Sequence, residues 1–267
     1  MLAIMSMFRG TVGFYRQYRP GVPESVADIL DAAVPKTTPR RLLDLGTGTG
    51  LVVQALLGRF DDIIAIDSDA DMLAAAEAAI LPQLPGGARL LLAQVAAEAF
   101  AAPQGWQADL VTICRAFHWL DQARVLARLD SQVSAAGAVA IFSDNSFWAA
   151  TNPWKVAVRS LVQEFLGPER RAGTSTFQHH NRPYSDVLRA SPFAEVDEMI
   201  VPITRTWTAD SILGYLHSTS FAAPQLFGDR LDELHRKVRA ALRNFSETDT
   251  YLEENEFLIR IGRRRRA

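Results

Sequence analysis

The run with the strongest chemical signature is Leu42-Leu43-Asp44-Leu45-Gly46-Thr47-Gly48-Thr49-Gly50. An apolar, strand-like segment leads straight into three glycines at alternate positions. Glycine there permits positive φ and leaves the main chain bare, so a ligand can lie against it. A helix is expected to follow, with its first N–H groups toward that ligand. A second acid, Asp67, closes the next apolar run, Ile63 to Ile66, 21 positions after Gly46. Ligands of doubly wound sheets sit beyond the carboxyl ends of the strands, and a carboxylate there suits the two hydroxyl donors of a ribose. Each feature alone is weak. In this order and at this spacing they point to a nucleoside site.

The glycine spacing discriminates between nucleosides. Dinucleotide sites use G-x-G-x-x-G, whose wider second interval lets a helix face a pyrophosphate. Here the pattern is G-x-G-x-G, followed by Leu51. S-adenosylmethionine (SAM) has no phosphate; it carries a sulfonium, an amino acid tail and an adenosine. Asp44 either helps position the ammonium end of that tail or orders the loop.

These residues need a scaffold, and the pattern around them supplies one. Leu42 to Leu45, Ile63 to Ile66, Leu90 to Val95, Leu110 to Cys114 and Val139 to Phe142 are short apolar runs. Helical spacing separates them: Met72, Leu73, Ala76 and Ile80 share one face, and Val125, Leu126, Leu129 and Val133 share another, with Gly137 expected to stop that helix. Such alternation predicts a parallel sheet covered on both faces. Upstream, Pro23 opens a helix carrying Val26, Ile29, Leu30, Ala33 and Val34. Downstream of Ser143 the rhythm breaks. A helix follows Asn152-Pro153, then a polar loop, a strand from Phe193 to Ile203 interrupted by Pro202, two helices of which the second is expected to reach Phe245, and a last strand from Phe257 to Ile261.

The Leu43 to Gly50 segment resembles motif I of the class I SAM-dependent methyltransferases, and Asp67 matches that family's ribose-binding acid. Ala97-Glu98-Ala99 resembles its adenine-lining segment. Asp109-Leu110-Val111 through Phe117-His118-Trp119 resembles the stretch after the fourth strand in a small-molecule subgroup that carries F-H-W. Tyr15-Arg16-Gln17-Tyr18-Arg19-Pro20-Gly21 is similar to the Tyr-Arg-Pro segment preceding the core, and Trp207 to Asp210 and Ser218 to Phe221 are similar to the subgroup's cap. One departure is Ala96, where relatives often have Asp. A backbone group or Glu98 would then have to meet the adenine. The resemblance implies an α/β, Rossmann-like doubly wound sheet of seven strands, mostly parallel with an antiparallel last strand, plus a helical cap. It divides the chain into an N-terminal segment covering the cofactor site (1–40), a SAM-binding core (41–144), a cap insertion (145–192) and the C-terminal core strands with further cap helices (193–267). The cofactor set it implies is Tyr18, Arg19, Asp44, Gly46, Thr47, Gly48, Gly50, Asp67, Ser68, Met72, Ala97, Glu98, Arg115 and Phe117, with S-adenosylhomocysteine as product.

The expected reaction is methyl transfer from SAM to a nitrogen or oxygen of a small metabolite. His118, at the carboxyl edge of the fourth strand, is the candidate base or substrate-orienting group, because an imidazole titrates near neutrality; the alternative is a histidine bonded into structure. Of Phe117 and Trp119, one is expected to pack and the other to wall the pocket. Arg19 either pairs with the methionine carboxylate or is a surface arginine beside a turn. Tyr15, Trp119, His179 and His180 are the candidate substrate contacts. Two adjacent histidines lack metal-ligand spacing, so no metal is expected. His217 and His235 fall in helical patterns and are expected to be structural or exposed. Cys114 is expected to be a small buried hydrophobe. Two rival functions share these features: an NAD-dependent oxidoreductase, which the glycine spacing disfavours, and a SAM-fold protein that binds without turnover, which the intact glycines and Asp67 disfavour.

Bulk properties narrow the partners. With 267 residues, 48% apolar and 22% charged, the chain can bury a large core, and a net charge of -2 gives no sign of a nucleic-acid partner. The run Arg263 to Arg266 is expected to be a solvated tail. A single cysteine fits a reducing cytoplasm. The apolar N-terminus lacks a basic n-region, so no signal peptide is expected, and no apolar run is long enough to span a membrane. A monomer or homodimer is expected.

Overall fold

The computed structural model describes residues 10–36, 38–172, 175–176 and 182–265. Two helices, α1 (Val12–Tyr18) and α2 (Glu24–Ala32), precede β1 (Arg41–Leu45). The alternation read from the sequence follows: α3 (Leu51–Ala55), β2 (Asp62–Asp67), α4 (Ala70–Ile80), β3 (Arg89–Gln94), β4 (Ala108–Cys114), α5 (Gln122–Leu129) and β5 (Val133–Asp144). Then come α6 (Pro153–Leu166), the two-residue strands β6 (Arg171–Ala172) and β7 (Ser175–Thr176), α7 (Tyr184–Arg189), β8 (Glu195–Trp207), α8 (Ala209–His217), α9 (Leu231–Leu242) and β9 (Tyr251–Arg263).

The main sheet has seven strands in the order β3-β2-β1-β4-β5-β9-β8. The first five run parallel, and β9 pairs antiparallel with β5 through Ala138↔Arg263 to Asp144↔Phe257. β8 is the edge strand, which is why Pro202, with no N–H to donate, is tolerated inside it. Burial on both faces explains the near-continuous apolar strands. Leu43, Leu45, Ile64, Ile66, Val111, Ile113, Val139 and Ile141 form one cluster with Val125, Leu126 and Leu129 of α5 and Val187 and Leu188 of α7. The intervening Leu42, Ile63, Leu110 and Ala138 are equally buried, and α4 packs on β2 and β3.

Contacts divide the chain into two compact units. The sheet unit comprises Gly21–Asp144, His179–Val201 and Phe257–Ala267; the helical unit comprises Met1–Pro20, Asn145–Gln178 and Pro202–Glu256. In the helical unit α6 and α8 both pack on α9, and α1 packs on α8. Trp154, Val158, Val162, Trp207, Ile212, Leu216, Leu234 and Val238 share its core. Within that core Glu253 accepts hydrogen bonds from the Lys155 ammonium, the Trp207 indole N–H and the Asn255 amide. His217 is buried, with Nδ1 3.0 Å from the Ala222 carbonyl and Nε2 2.7 Å from Nε2 of His235. Nδ1–H therefore donates to the carbonyl, and His235 donates to the bare Nε2. Burial lowers the pKa of both rings, disfavouring a charge on either.

Three sequence expectations are corrected. The helix expected to run to Val133 and stop at Gly137 ends at Leu129; Val133 and Gly137 lie inside β5. A Cβ on Gly137 would stand 2.8 Å from the Asp109 carbonyl oxygen and 2.7 Å from Val133 Cγ1, beside the register shift between Ala108 and Leu110. The glycine thus marks a close strand approach, not a helix stop. Phe245 lies beyond α9 and is 44% exposed. The arginines at 263 and 264 are docked: Arg263 donates to the Ala33 carbonyl and pairs with Asp197, and Arg264 binds the Ser134 carbonyl and Asp130. Among the described residues no helix is long and apolar enough to cross a membrane.

Candidate active site

The glycine loop leaves the end of β1 as the sequence implies. Gly46, Gly48 and Gly50 have φ of 68°, 55° and 82°. Gly46 is also sterically required, since a Cβ there would meet Ala116 Cβ at 2.8 Å; a Cβ on Gly50 would crowd Ile80 Cδ1 at 2.7 Å, the movable end of that side chain. The loop is pinned by Thr47 N–H to the Ile66 carbonyl and by Gly50 N–H to the Thr47 carbonyl, both at 2.9 Å. The helix that follows, α3, has five residues. Its aligned dipoles are few, so the bare main chain of the loop, rather than a helix end, characterises the site.

Asp67 sits at the tip of β2 and faces this loop. Its Oδ2 accepts from Gly48 N–H at 2.9 Å and its Oδ1 from Asp69 N–H at 3.0 Å. Burial raises its pKa, opposed by those N–H bonds. A carboxylate has about four lone-pair directions, so both oxygens retain capacity for further donors. Ser68, exposed, has its carbonyl bonded by Gln94 Nε2 at 3.2 Å. Met72 is buried at the start of α4, where Asp69 caps the helix by accepting from Asp71 and Met72 N–H groups.

Asp44 is fully buried on β1, opposite Thr112 of β4 in the parallel register. The Thr112 hydroxyl donates to Asp44 Oδ1 at 2.7 Å, and Oδ2 has no hydrogen-bond partner. The hydroxyls of Thr47 and Thr49 are also buried and unpartnered. Burial pushes the Asp44 pKa up to about 6, against the stabilising Thr112 and Thr47 hydroxyls; the nearby Asp67 charge raises it further. Thr47 lies beside the carboxylate without making a well-formed bond to it. Buried polar atoms are nearly always satisfied, so three orphans around one bare loop mark a place for a polar ligand. Their chemistry fits the amino acid end of SAM: Asp44 would take the ammonium, the threonine hydroxyls would donate to the carboxylate, and Asp67 would take ribose hydroxyls.

The carboxyl end of β4 carries the other candidates. Arg115 adopts φ 55°, unusual for a residue with a Cβ, while its N–H still bonds the Phe142 carbonyl at 3.1 Å. Its Nε donates to Asp144 Oδ1 at 2.7 Å, and its guanidinium lies over the Phe257 ring. Phe117–Trp119 forms a single 3-10 turn. Phe117 is buried, edge-on to Tyr184 at 5.0 Å. His118 and Trp119 are half-buried with ring centroids 4.5 Å apart. Ala97 packs against the core cluster, and Glu98 Oε1 accepts the Asp121 N–H at 2.8 Å.

The structure therefore brings Asp44, Thr47, Gly48, Gly50, Asp67 and Thr112 around one loop. Tyr15, Tyr18 and Arg19 belong to the helical unit. There the Arg19 guanidinium lies 4.8 Å from the Tyr15 and Tyr215 rings and donates to the Ser218 carbonyl, while the Tyr18 ring lies against Gly214. His179 and His180 fall outside the described residues. Sequence reasoning missed Thr49, Thr112 and Asp144. A threonine inside the apolar run of β4 was the one visible signal. Among the described residues, no three His, Cys, Asp or Glu side chains are grouped to hold a metal ion.

Comparison with known proteins agrees with this geometry. Residues 42–137 match a family described as a methyltransferase domain. Uncharacterized methyltransferases of Mycobacterium tuberculosis and Mycobacterium bovis are each 33% identical over 215 residues, covering 80% of this chain and 76% of theirs. The fold superposes on the YcgJ protein of Bacillus subtilis (TM-score 0.55, 13% identity, 91% of this chain and 100% of that one). It also superposes on N-methyltransferase 2 of Haemonchus contortus, solved with phosphomonomethylethanolamine and S-adenosylhomocysteine (TM-score 0.53, 15% identity, 96% of this chain and 57% of that one). With the glycine loop, the spaced acid and the seven-stranded order in place, the chain belongs to the class I SAM-dependent methyltransferases.

Proposed function

We propose that this methyltransferase acts on a nitrogen or oxygen of a small metabolite, with His118 as the base or orienting group. The observation that carries the proposal is the half-buried imidazole two residues beyond Ala116, whose Cβ bounds Gly46 of the cofactor loop. SAM supplies an electrophilic methyl group: its S–C bond breaks as the acceptor's lone pair forms the new bond, and S-adenosylhomocysteine leaves. The acceptor must also lose a proton. In-line alignment contributes roughly 7–11 kcal/mol and a general base about 10²–10⁴-fold in rate. The pocket's main task is therefore to hold the acceptor, and a hydroxyl needs His118 more than a free amine does. Trp119, beside His118, is a candidate acceptor contact, and Tyr15 is a further candidate from the sequence. His179 and His180 remain candidates from the sequence. The single cysteine suits a cytoplasmic enzyme, as monomer or homodimer.

The test uses purified protein and radiolabelled SAM with panels of amine, phenol and carboxylate acceptors, alongside calorimetry with S-adenosylhomocysteine. Label transfer to one class is expected. His118→Ala should lower kcat by about 10²–10⁴-fold on a hydroxyl acceptor and less on an amine. Full activity of His118→Ala on both classes would remove His118 from the mechanism.

A further inference from the structure

We infer that Glu98 is a positioning residue that clamps the far end of the His118 turn, and so joins the adenine-side loop to the acceptor-facing group; this rests on the role proposed for His118. Resemblance alone suggested Glu98 as an adenine contact. The structure gives that side chain another partner, since its Oε1 accepts the N–H of Asp121 at 2.8 Å.

Asp121 is the N-cap of α5 and stands two residues after Trp119, so the bond fixes the point where the Phe117–Trp119 turn becomes a helix. The other end of the turn is held by Phe117, buried against Tyr184. Gln122 Nε2 donates to the Phe117 carbonyl and closes the turn across its base. His118 is thus suspended between two fixed points, one apolar and one a hydrogen bond to a charged acceptor.

Glu98 is itself held. Its loop is closed by Ala99 and Phe100 N–H groups on the Ala96 carbonyl, and Arg128 near the end of α5 donates to the Phe100 carbonyl through Nε at 3.1 Å and a terminal nitrogen at 2.7 Å. The segment 96–100 therefore grips α5 at both ends: Glu98 at its first turn and Arg128 at its last. A displacement of the loop after β3, where adenine would lie, carries α5 and the base of the His118 turn with it.

The test compares Glu98→Ala with Glu98→Gln, whose amide oxygen can still accept the Asp121 N–H. The readouts are the imidazole titration of His118 by heteronuclear NMR, with and without S-adenosylhomocysteine, and calorimetric binding of that same molecule. Glu98→Ala is expected to move the His118 midpoint and broaden its ring signals while binding changes by less than about fivefold, the worth of one exposed hydrogen bond. Glu98→Gln is expected to restore the native titration. Should Glu98→Ala not fold, Asp121→Pro removes the donor instead. Asp121 has φ of -70° and Leu120 has ψ of 153°, so the backbone already suits proline; Asp121→Ala controls for the lost cap. An unmoved His118 titration in Glu98→Ala overturns the clamp. A tenfold or greater loss of binding with His118 unmoved returns Glu98 to the adenine. Absence of binding by the unaltered protein would strike the cofactor site instead, and the NMR arm without ligand would still decide the clamp.

Discussion

Asp44 is the residue on which the proposed recognition of the SAM ammonium and the stability of the fold pull in opposite directions. Its carboxylate is fully buried with one unpartnered oxygen, and its pKa is raised from 3.8 to about 6. Between those values the folded chain keeps a proton that the unfolded chain has lost, so stability without ligand falls as pH rises through the window. A shift of that size corresponds to about 3 kcal/mol. Thermal unfolding should therefore show Asp44→Asn losing less stability than the native chain between pH 4 and 6.5, with little difference at pH 4. A cationic ammonium beside Oδ2 would reverse the preference and favour the charged form. Binding of S-adenosylhomocysteine is then expected to release a proton near pH 6 and to weaken as pH falls below it. Calorimetry in buffers of different ionisation enthalpy measures this directly, and buffer-independent heats at pH 6 would separate Asp44 from the ammonium.

At the scale of elements, the site depends on how closely neighbouring strands and loops approach. Gly50 combines a positive φ with close packing on Ile80, and Gly46 admits Ala116 at a distance a side chain would forbid. Gly137 does the same for β5 against β4, where the neighbouring atom is the Asp109 backbone oxygen. Asp109 is not free to move, because its carboxylate accepts the Arg41 N–H at 2.9 Å and the Ser134 hydroxyl at 3.1 Å. Gly137→Ala is accordingly expected to cost about 1–3 kcal/mol by overpacking and to be visible as a lower denaturation midpoint. Because β4 carries Thr112 in register with Asp44 and the His118 segment beyond its end, the same variant should weaken S-adenosylhomocysteine binding as well. Unchanged stability would mean that the strands part without cost.

For the whole molecule, the helical unit is organised around a buried charge pair. Lys155 and Glu253 are 4% and 1% exposed, and the ammonium also lies about 5.5 Å from the Phe147 and Trp154 rings. Lys155→Met would leave the buried Glu253 carboxylate with only the more distant Arg205 guanidinium, 3.9 Å away, and is expected to cost up to about 3–5 kcal/mol. Adding Glu253→Leu should recover only part of this, because the Trp207 indole and the Asn255 amide would then lose their acceptor. Chemical denaturation of the single and double variants measures the difference. A double variant as stable as the native chain would show that the pair contributes specificity alone.

What the sequence determined by itself was whatever depends on local backbone demands. Alternating apolar runs fixed the first five strands, glycines at alternate positions fixed a bare turn, and an acid closing the second run fixed the partner of that turn. Each follows from φ preferences and from period, which a chain carries residue by residue. The ends of α5 and β5 were misread because Gly137 and Val133 answer to a neighbouring strand rather than to their own segment. Only tertiary structure decided that Thr112 faces Asp44, that Glu98 holds Asp121, that Phe117 turns inward beside Tyr184, and that Arg263 and Arg264 are docked. Those pairings join residues up to 230 positions apart, and their energies arise from desolvation and register, which exist only once the chain is packed.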